Sequence, residues 1–180
     1  MAENTLKINL RTWRISDLDS LVTYANNWNI AKNLMDRFPH PYTEEDAKSF
    51  IEYAGGAGAA HIFAIELRGQ AIGGISLEPQ ADIHRKNAEL GYWLAEPFWG
   101  QGIISQAIKQ MVDYAFATYD IDRIVARPFG HNVASHRVLK KNGFVLEATL
   151  KKVLYKNDQY MDEWIYAIRK QTWEEQKQNH

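Results

Sequence analysis

The sequence predicts a mixed α/β domain, a sheet flanked by helices. Three observations lead there. Short runs that alternate apolar and polar residues, the mark of half-buried strands, occur near both ends of the chain. Amphipathic helical runs lie between them. Each group of strands contains a hairpin signal, Arg68-Gly69-Gln70 early and Asn157-Asp158 late. The 180 residues suffice for one domain with a core, and a hydrophobic content of 46% is that of a globular chain.

Leu6 to Leu10 alternates and reads as the first strand, with Arg11 to Arg14 extending it or turning off it. Ser16 is expected to cap a helix over about Asp17–Asn27, with Leu18, Leu21, Val22 and Ala25 at helical spacing. Asn26-Asn27-Trp28-Asn29 breaks it, and residues 30–38 form a short helix or a loop. Pro39-His40-Pro41-Tyr42 is a fixed bend. Thr43 caps the next helix, with Asp46 in the capping-box position, and that helix stops at Gly55-Gly56. Residues 61–67 and 71–78 make a hairpin, and Gly73-Gly74 within it marks a bulge or a close backbone approach. After the polar stretch 79–86 comes a strand running to Ala95. A long helix follows, with Ile104, Ala107, Ile108, Met111, Ala115 and Phe116 on its apolar face. Residues 121–127 form another strand. A short helix then opens at Asn132 and closes at Gly143, with Lys140 and Lys141 in its last turn. Residues 144–150 and 160–168 close the sheet. The polar tail from 171 to 180 is expected to fray.

Glu89 to Tyr114 organises the rest. Pro97 ends a strand, Gly100 and Gly102 make a tight loop, and a helix begins. A helix start carries unpaired N–H groups and the positive end of the macrodipole, so it suits an anion. First turns usually hold Asp or Glu, yet from Gly100 to Met111 there is no acidic residue. A pyrophosphate could take that place, although an ordinary strand–loop–helix explains the spacing equally well. A Rossmann fingerprint fits poorly, because Ser105 stands at the third glycine and the following strand ends in Arg127-Pro128. A Walker loop lacks its Gly-Lys-Ser/Thr.

Trp99-Gly100-Gln101-Gly102-Ile103-Ile104-Ser105, preceded by Ala88-Glu89-Leu90-Gly91-Tyr92-Trp93-Leu94, resembles the acetyl-CoA loop of the GNAT superfamily of N-acetyltransferases. Gly102 matches the first glycine of that pattern. Trp99 stands where Arg or Gln is usual, as in the branch containing the ribosomal-protein N-terminal acetyltransferases. Ile104 stands where Gly or Ala is usual. Phe38 to Ala47 is similar to the same branch, in which the two N-terminal helices help form a wall of the acceptor cleft. His131 to Phe144 resembles the family's other motif, Asn-x-x-Ser/Ala ending in Gly-Phe.

The resemblance implies a mostly antiparallel, twisted sheet of about seven strands within one acetyltransferase domain, residues 1–170. It implies acetyl-CoA as co-substrate. Backbone groups of Trp93, Leu94 and Ala95 would pair with pantetheine like an added strand. Gly100, Gln101, Gly102, Ile103, Ile104 and Ser105 would hold the pyrophosphate. Asn132 and Ser135 would lie along the pantetheine arm and thiol. Asn132 is also explained as a plain helix cap, and Ser135 as a residue of that helix's first turn. Many family members place a tyrosine four residues after the Ser/Ala to protonate the leaving thiolate. Leu139 stands there instead, which leaves Ser135 to stabilise developing charge. Glu89 matches the catalytic glutamate of several subfamilies, and reads equally as an outward polar residue on an alternating strand. His84 and Glu78 are weaker candidates for the base.

The acceptor amine must be neutral to attack. At pH 7 a lysine amine of pKa ~10.4 is neutral about once in 2,500, and an α-amine near ~7.8 in roughly a tenth of molecules. A protein N-terminus therefore needs less help than a lysine or polyamine, and both acceptor types stay open. No cysteine is present, so no acyl-cysteine can form and direct transfer is favoured. The histidine spacing argues against a metal. A net charge of −1 argues against nucleic acid and against an anionic membrane. No long apolar run or leader is seen, so a cytoplasmic enzyme is expected. Aromatic edges at Trp164, Tyr166 and Trp173 would permit a homodimer as well as a monomer. Two other readings stand beside the enzyme: a non-catalytic acyl-CoA-binding module, and a nucleotide-binding domain that ADP or NAD would protect against heat better than CoA.

Overall fold

The seven strands of the computed structural model are β1 Asn9–Thr12, β2 Ile62–Leu67, β3 Gln70–Pro79, β4 Asn87–Leu94, β5 Arg123–Ala126, β6 Val145–Lys156 and β7 Gln159–Arg169. They form one sheet in the order β1-β2-β3-β4-β5-β7-β6. Five pairings can be described in register, and only β4–β5 among them is parallel. The structure describes residues 6–56 and 61–178. The helices are α1 Leu18–Ala25, α2 Trp28–Ala31, α3 Glu44–Gly55, α4 Ile103–Thr118, α5 Val133–Lys141 and α6 Lys170–Gln178. The mixed α/β class is as the residue patterns predict, and the mostly antiparallel seven-stranded sheet is as the family resemblance implies.

The chain divides into two compact units. The first holds residues up to Ser76 together with Tyr92–Ala107. Its core gathers Trp13, Leu21, Tyr42, Ala47 and Ile51, with Phe38 and Trp93 packed against it. Thr43 caps α3 as expected: its Oγ1 accepts from the Asp46 N–H, and Asp46 accepts in return from the Thr43 N–H at 2.8 Å. The start of α1 differs from expectation. Ser16 does not cap it; residues Ile15–Asp17 form a 3-10 turn instead. The buried carboxylate of Asp17 takes a two-pronged bond from Arg11 at 2.7 and 2.8 Å and a third from the Arg14 N–H at 2.9 Å. Arg11 also reaches Glu66 on β2. The first strand begins later than the alternation suggests, because Ile8 is buried ahead of it and pairing starts at Asn9.

The glycine pair in β3 resolves in favour of both expectations. The β2–β3 register slips beside Ile65, opposite Gly73. A Cβ on Gly73 would stand 2.5 Å from the Trp93 carbonyl oxygen, and one on Gly74 would stand 2.6 Å from the Trp93 indole nitrogen. Only a bare backbone lets the end of β4 come so near.

The second unit holds Leu77–Gly91 and Ile108 onward. Ile108, Met111, Ile124, Leu139 and Tyr166 are wholly buried in it. Burial of each such aliphatic chain contributes about 1.5–3 kcal/mol. The α4 face matches the sequence reading at Ala107, Ile108, Met111, Ala115 and Phe116, all buried; only its first member differs, Ile103 being buried at 1% exposure and Ile104 only half-buried. β6 and β7 form the long hairpin that Asn157-Asp158 announces, both residues having positive φ (51° and 58°).

Two sequence expectations are corrected here. The tail does not fray over its described part, because it is α6. Trp173 packs against Phe116 with ring centres 5.4 Å apart and donates to Asp113 at 2.6 Å, and Lys177 pairs with the same carboxylate at 3.3 Å. The aromatic residues expected to permit a dimer edge are instead engaged within the chain. Tyr166 is fully buried, Trp164 stacks on His136, and Trp173 is spent on α4. Side chains two apart on a strand share a face, and Trp164 and Tyr166 of β7 both point toward His136.

Candidate active site

In the first unit the site is built on the exit of β4. The chain leaves Leu94, passes through a 3-10 turn at Glu96–Phe98 that contains Pro97, and enters α4 at Ile103. Gly100 and Gly102 have φ of +74° and +75°, a region costly for any side chain. A Cβ built on either meets nothing within 4 Å beyond its chain neighbours, so there is open space beside both glycines. The first turn of α4 holds no acidic residue. A helix start without an acidic side chain, entered through two glycines with space beside them, is of the kind that suits an anion.

Two side chains brace this loop. The Trp99 indole N–H donates to the Leu94 carbonyl at 2.7 Å, and the Gln101 amide donates to the Pro97 carbonyl at 3.0 Å. Trp93 packs on Phe38 with ring centres 5.7 Å apart. The Ala95 N–H bonds the Ile72 carbonyl at 2.8 Å. Trp93, Leu94, Ala95 and the residues from Gly100 to Ser105 are therefore brought together in one unit.

A further contact was not legible in the sequence. The Glu96 carboxylate accepts from the Asn27 amide at 2.6 Å and from the Asn29 amide at 3.2 Å, on opposite sides of Trp28. Asn27 also caps α2, accepting from the Asn29 N–H at 2.8 Å. The Asn27 bond, then the Asn29 bonds, hold the Glu96 carboxyl below its ordinary value. This clamp ties α2 to the turn just ahead of the glycine loop. The sequence shows only an asparagine-rich break there, with its partner 67 to 69 residues away.

The second unit carries Glu89, Asn132 and Ser135. Glu89 sits opposite Val125 on β5, half-exposed, with Arg127 Nε at 3.4 Å. Arg127 also lies 3.4 Å from Glu163 on β7. One guanidinium thus bridges two carboxylates, and Glu89 is more than a solvated outward residue. His84 and Glu78 are both exposed.

Asn132 caps α5, its side-chain oxygen accepting from the Ser135 N–H at 3.2 Å. Ser135, His136 and Leu139 form the helix's buried face. Leu139 is fully buried, so the position that often carries a tyrosine is part of the core here. His136 escaped the sequence reading; a lone histidine within a motif gives no signal until its burial is seen. Among the described residues, no group of three or more His, Asp or Glu side chains could hold a metal ion, and no helix is long and apolar enough to cross a membrane.

A family profile described as an acetyltransferase (GNAT) domain matches residues 7–145. The chain is 29% identical over 171 residues to the uncharacterized N-acetyltransferase YnaD of Bacillus subtilis (strain 168), covering 94% of this chain and 97% of that one. It is 38% identical over 110 residues to the ribosomal-protein-serine acetyltransferase of Escherichia coli (strain K12), a stretch spanning 61% of each protein. Among solved structures, RimL, a ribosomal L7/L12 alpha-N-protein acetyltransferase in complex with coenzyme A, superposes with a TM-score of 0.76 at 29% identity, covering 90% of this chain and 93% of that one. The chain belongs to the GNAT acetyltransferase family.

Proposed function

We propose that this protein moves the acetyl group of acetyl-CoA directly to a primary amine, within a single domain spanning residues 1–170. The observation that carries the reading is the positive-φ glycine pair, with open space beside each glycine, leading into an acid-free helix start. Backbone N–H groups from Gln101 to Ser105 bind the pyrophosphate, and the strand end Trp93–Ala95 pairs with pantetheine. The amine nitrogen attacks the thioester carbonyl carbon, the C–N bond forms, and the C–S bond breaks. Glu89 accepts the proton that the amine loses. Asn132 and Ser135 stabilise the charge that develops on sulfur. With no cysteine in the chain, no thioester intermediate on a cysteine side chain intervenes.

A protein N-terminal α-amine is the acceptor we favour. It is neutral far more often at pH 7 than a lysine amine, and two of the similar proteins are named for ribosomal-protein substrates. A cytoplasmic location belongs to the same proposal. The test is release of free thiol from acetyl-CoA with a panel of N-terminal peptides and small amines. Turnover with peptides above small amines supports the reading. Tight binding of acetyl-CoA with no turnover on any amine would favour an acyl-CoA-binding module.

A further inference from the structure

The buried face of α5 carries an imidazole that the proposed chemistry does not use. His136 is 6% exposed. Its Nε2 lies 3.0 Å from the Gly130 carbonyl oxygen. A carbonyl only accepts, so Nε2 bears the hydrogen, and in the neutral ring Nδ1 is a bare acceptor. That Nδ1 is buried and finds no hydrogen-bond partner among the described residues.

Two more polar atoms share its surroundings and its condition. Trp164 stacks on the imidazole with centroids 4.3 Å apart and planes at 28°, and its indole N–H is buried without a partner among the described residues. The Tyr166 ring lies 5.6 Å from the imidazole, and its hydroxyl is buried and likewise without a partner among the described residues. A Cβ on Gly130 would come within 3.1 Å of the Trp164 indole nitrogen, so the glycine keeps that edge clear. Buried polar groups in native proteins are almost always paired, with protein or with ordered water. Three orphans around one ring call for a common partner. The set offers one acceptor, one fixed donor and one hydroxyl. A water molecule complements it: its oxygen accepts from Trp164 Nε1–H and Tyr166 Oη–H, and it donates one hydrogen to His136 Nδ1.

We propose that His136, Trp164 and Tyr166 bind an internal water, and that this water fixes His136 as the brace of the loop from Pro128 to Asn132. The loop is already stitched to β7: the Gly130 N–H bonds the Asp162 carbonyl at 2.8 Å, and the Trp164 N–H bonds the Pro128 carbonyl at 3.0 Å. His136 adds the bond to the Gly130 carbonyl, two residues before the Asn132 cap. His136 is thus a positioning residue for Asn132 and Ser135. That kinetic role rests on the acetyl-transfer reading; the water site does not.

The test has a structural and a kinetic arm, both on the full chain. A crystal structure fine enough to show ordered water is expected to place a peak within hydrogen-bond distance of His136 Nδ1, Trp164 Nε1 and Tyr166 Oη. Nitrogen-15 NMR is expected to show the Nε2–H tautomer with a hydrogen-bonded Nδ1. His136→Leu is expected to lower kcat about tenfold and leave the KM for acetyl-CoA within about twofold. His136→Gln, which can offer an N–H to Gly130 and an oxygen to the water, is expected to recover most of that loss. Tyr166→Phe removes a single oxygen and guards against a variant that fails to fold; it is expected to displace the water and lower kcat about threefold. A dry cluster, or a bare Nδ1 in the NMR spectrum, overturns the site. Wild-type turnover in both His136→Leu and Tyr166→Phe overturns the positioning role. Should no amine be acetylated at all, the acetyl-transfer reading fails while the density and the nitrogen shift still decide the water.

Discussion

The indole N–H of Trp99 donates to the carbonyl oxygen of Leu94 across 2.7 Å. The bond joins the glycine loop to the last residue of β4, the two parts of the chain that the proposal assigns to pyrophosphate and pantetheine. A residue that departs from the usual Arg or Gln at this position therefore has a geometric task of its own. Trp99→Phe keeps the ring and deletes the bond. One neutral hydrogen bond is worth about 1 kcal/mol, or roughly fivefold in an equilibrium constant. Steady-state kinetics should show the KM for acetyl-CoA rising by about that factor, with kcat within about twofold of wild type.

Glu89 is the residue whose loss should separate chemistry from binding. Glu89→Gln keeps the shape and removes the proton acceptor. General-base catalysis contributes on the order of 10²–10⁴-fold, so kcat should fall by about that much while acetyl-CoA binds as before. Glu163→Gln removes the other carboxylate from Arg127 and leaves the guanidinium to Glu89 alone. It should lower kcat by a smaller factor, on the order of a few-fold, in the same assay.

The glycines of β3 and of the loop should respond differently to alanine. Gly73→Ala drives a Cβ into the Trp93 carbonyl at 2.5 Å, a backbone atom that cannot rotate away. Overpacking of this kind costs about 1–3 kcal/mol, which in a domain of this size lowers Tm by several degrees. Gly102→Ala meets open space and is strained only by its φ of +75°, a cost of about 1 kcal/mol. Differential scanning calorimetry should rank Gly73→Ala below Gly102→Ala. Calorimetric titration should reverse the ranking for coenzyme A, because a methyl on Gly102 intrudes where the phosphate approaches.

Asp17 should set part of the acid limb of stability. Burial pushes its carboxyl up, but the bonds from the Arg11 guanidinium and the Arg14 N–H outweigh burial and hold it below the ordinary carboxylate value. A group depressed in the folded state contributes stability that is full above its unfolded pKa of ~3.9 and is lost as pH falls through the folded value. Asp17→Asn leaves Arg11 short of its partner and should cost about 3 kcal/mol at pH 7. Urea unfolding at pH 7 and pH 3 should show the gap to wild type wide at the first and narrow at the second.

What the sequence revealed and what it hid divide along sequence distance. The Thr43–Asp46 box, the Asn132 cap and the Asn157-Asp158 turn are local, each closed within a few residues, and each is found where it was read. The acid-free start of α4 is local as well. The Asn27 and Asn29 clamp on Glu96, the Arg127 bridge between Glu89 and Glu163, and the Trp173 bond to Asp113 join residues tens of positions apart, and composition carries no trace of them. Between these extremes lies Ile103. Helical spacing put its neighbour Ile104 on the buried face and placed the later members of that face correctly; an error confined to the first turn follows from not knowing where that turn begins. Trp164 and Tyr166 were misread as an edge because alternation tells that a strand has two faces, and does not tell which one meets the core.

The most direct test is calorimetric titration of coenzyme A into the purified protein. Saturable one-to-one binding in the micromolar range, weakened at least tenfold by Gly102→Ala, is the predicted result. Absence of binding heat at several temperatures, with equal silence toward acetyl-CoA, would contradict the account at its root.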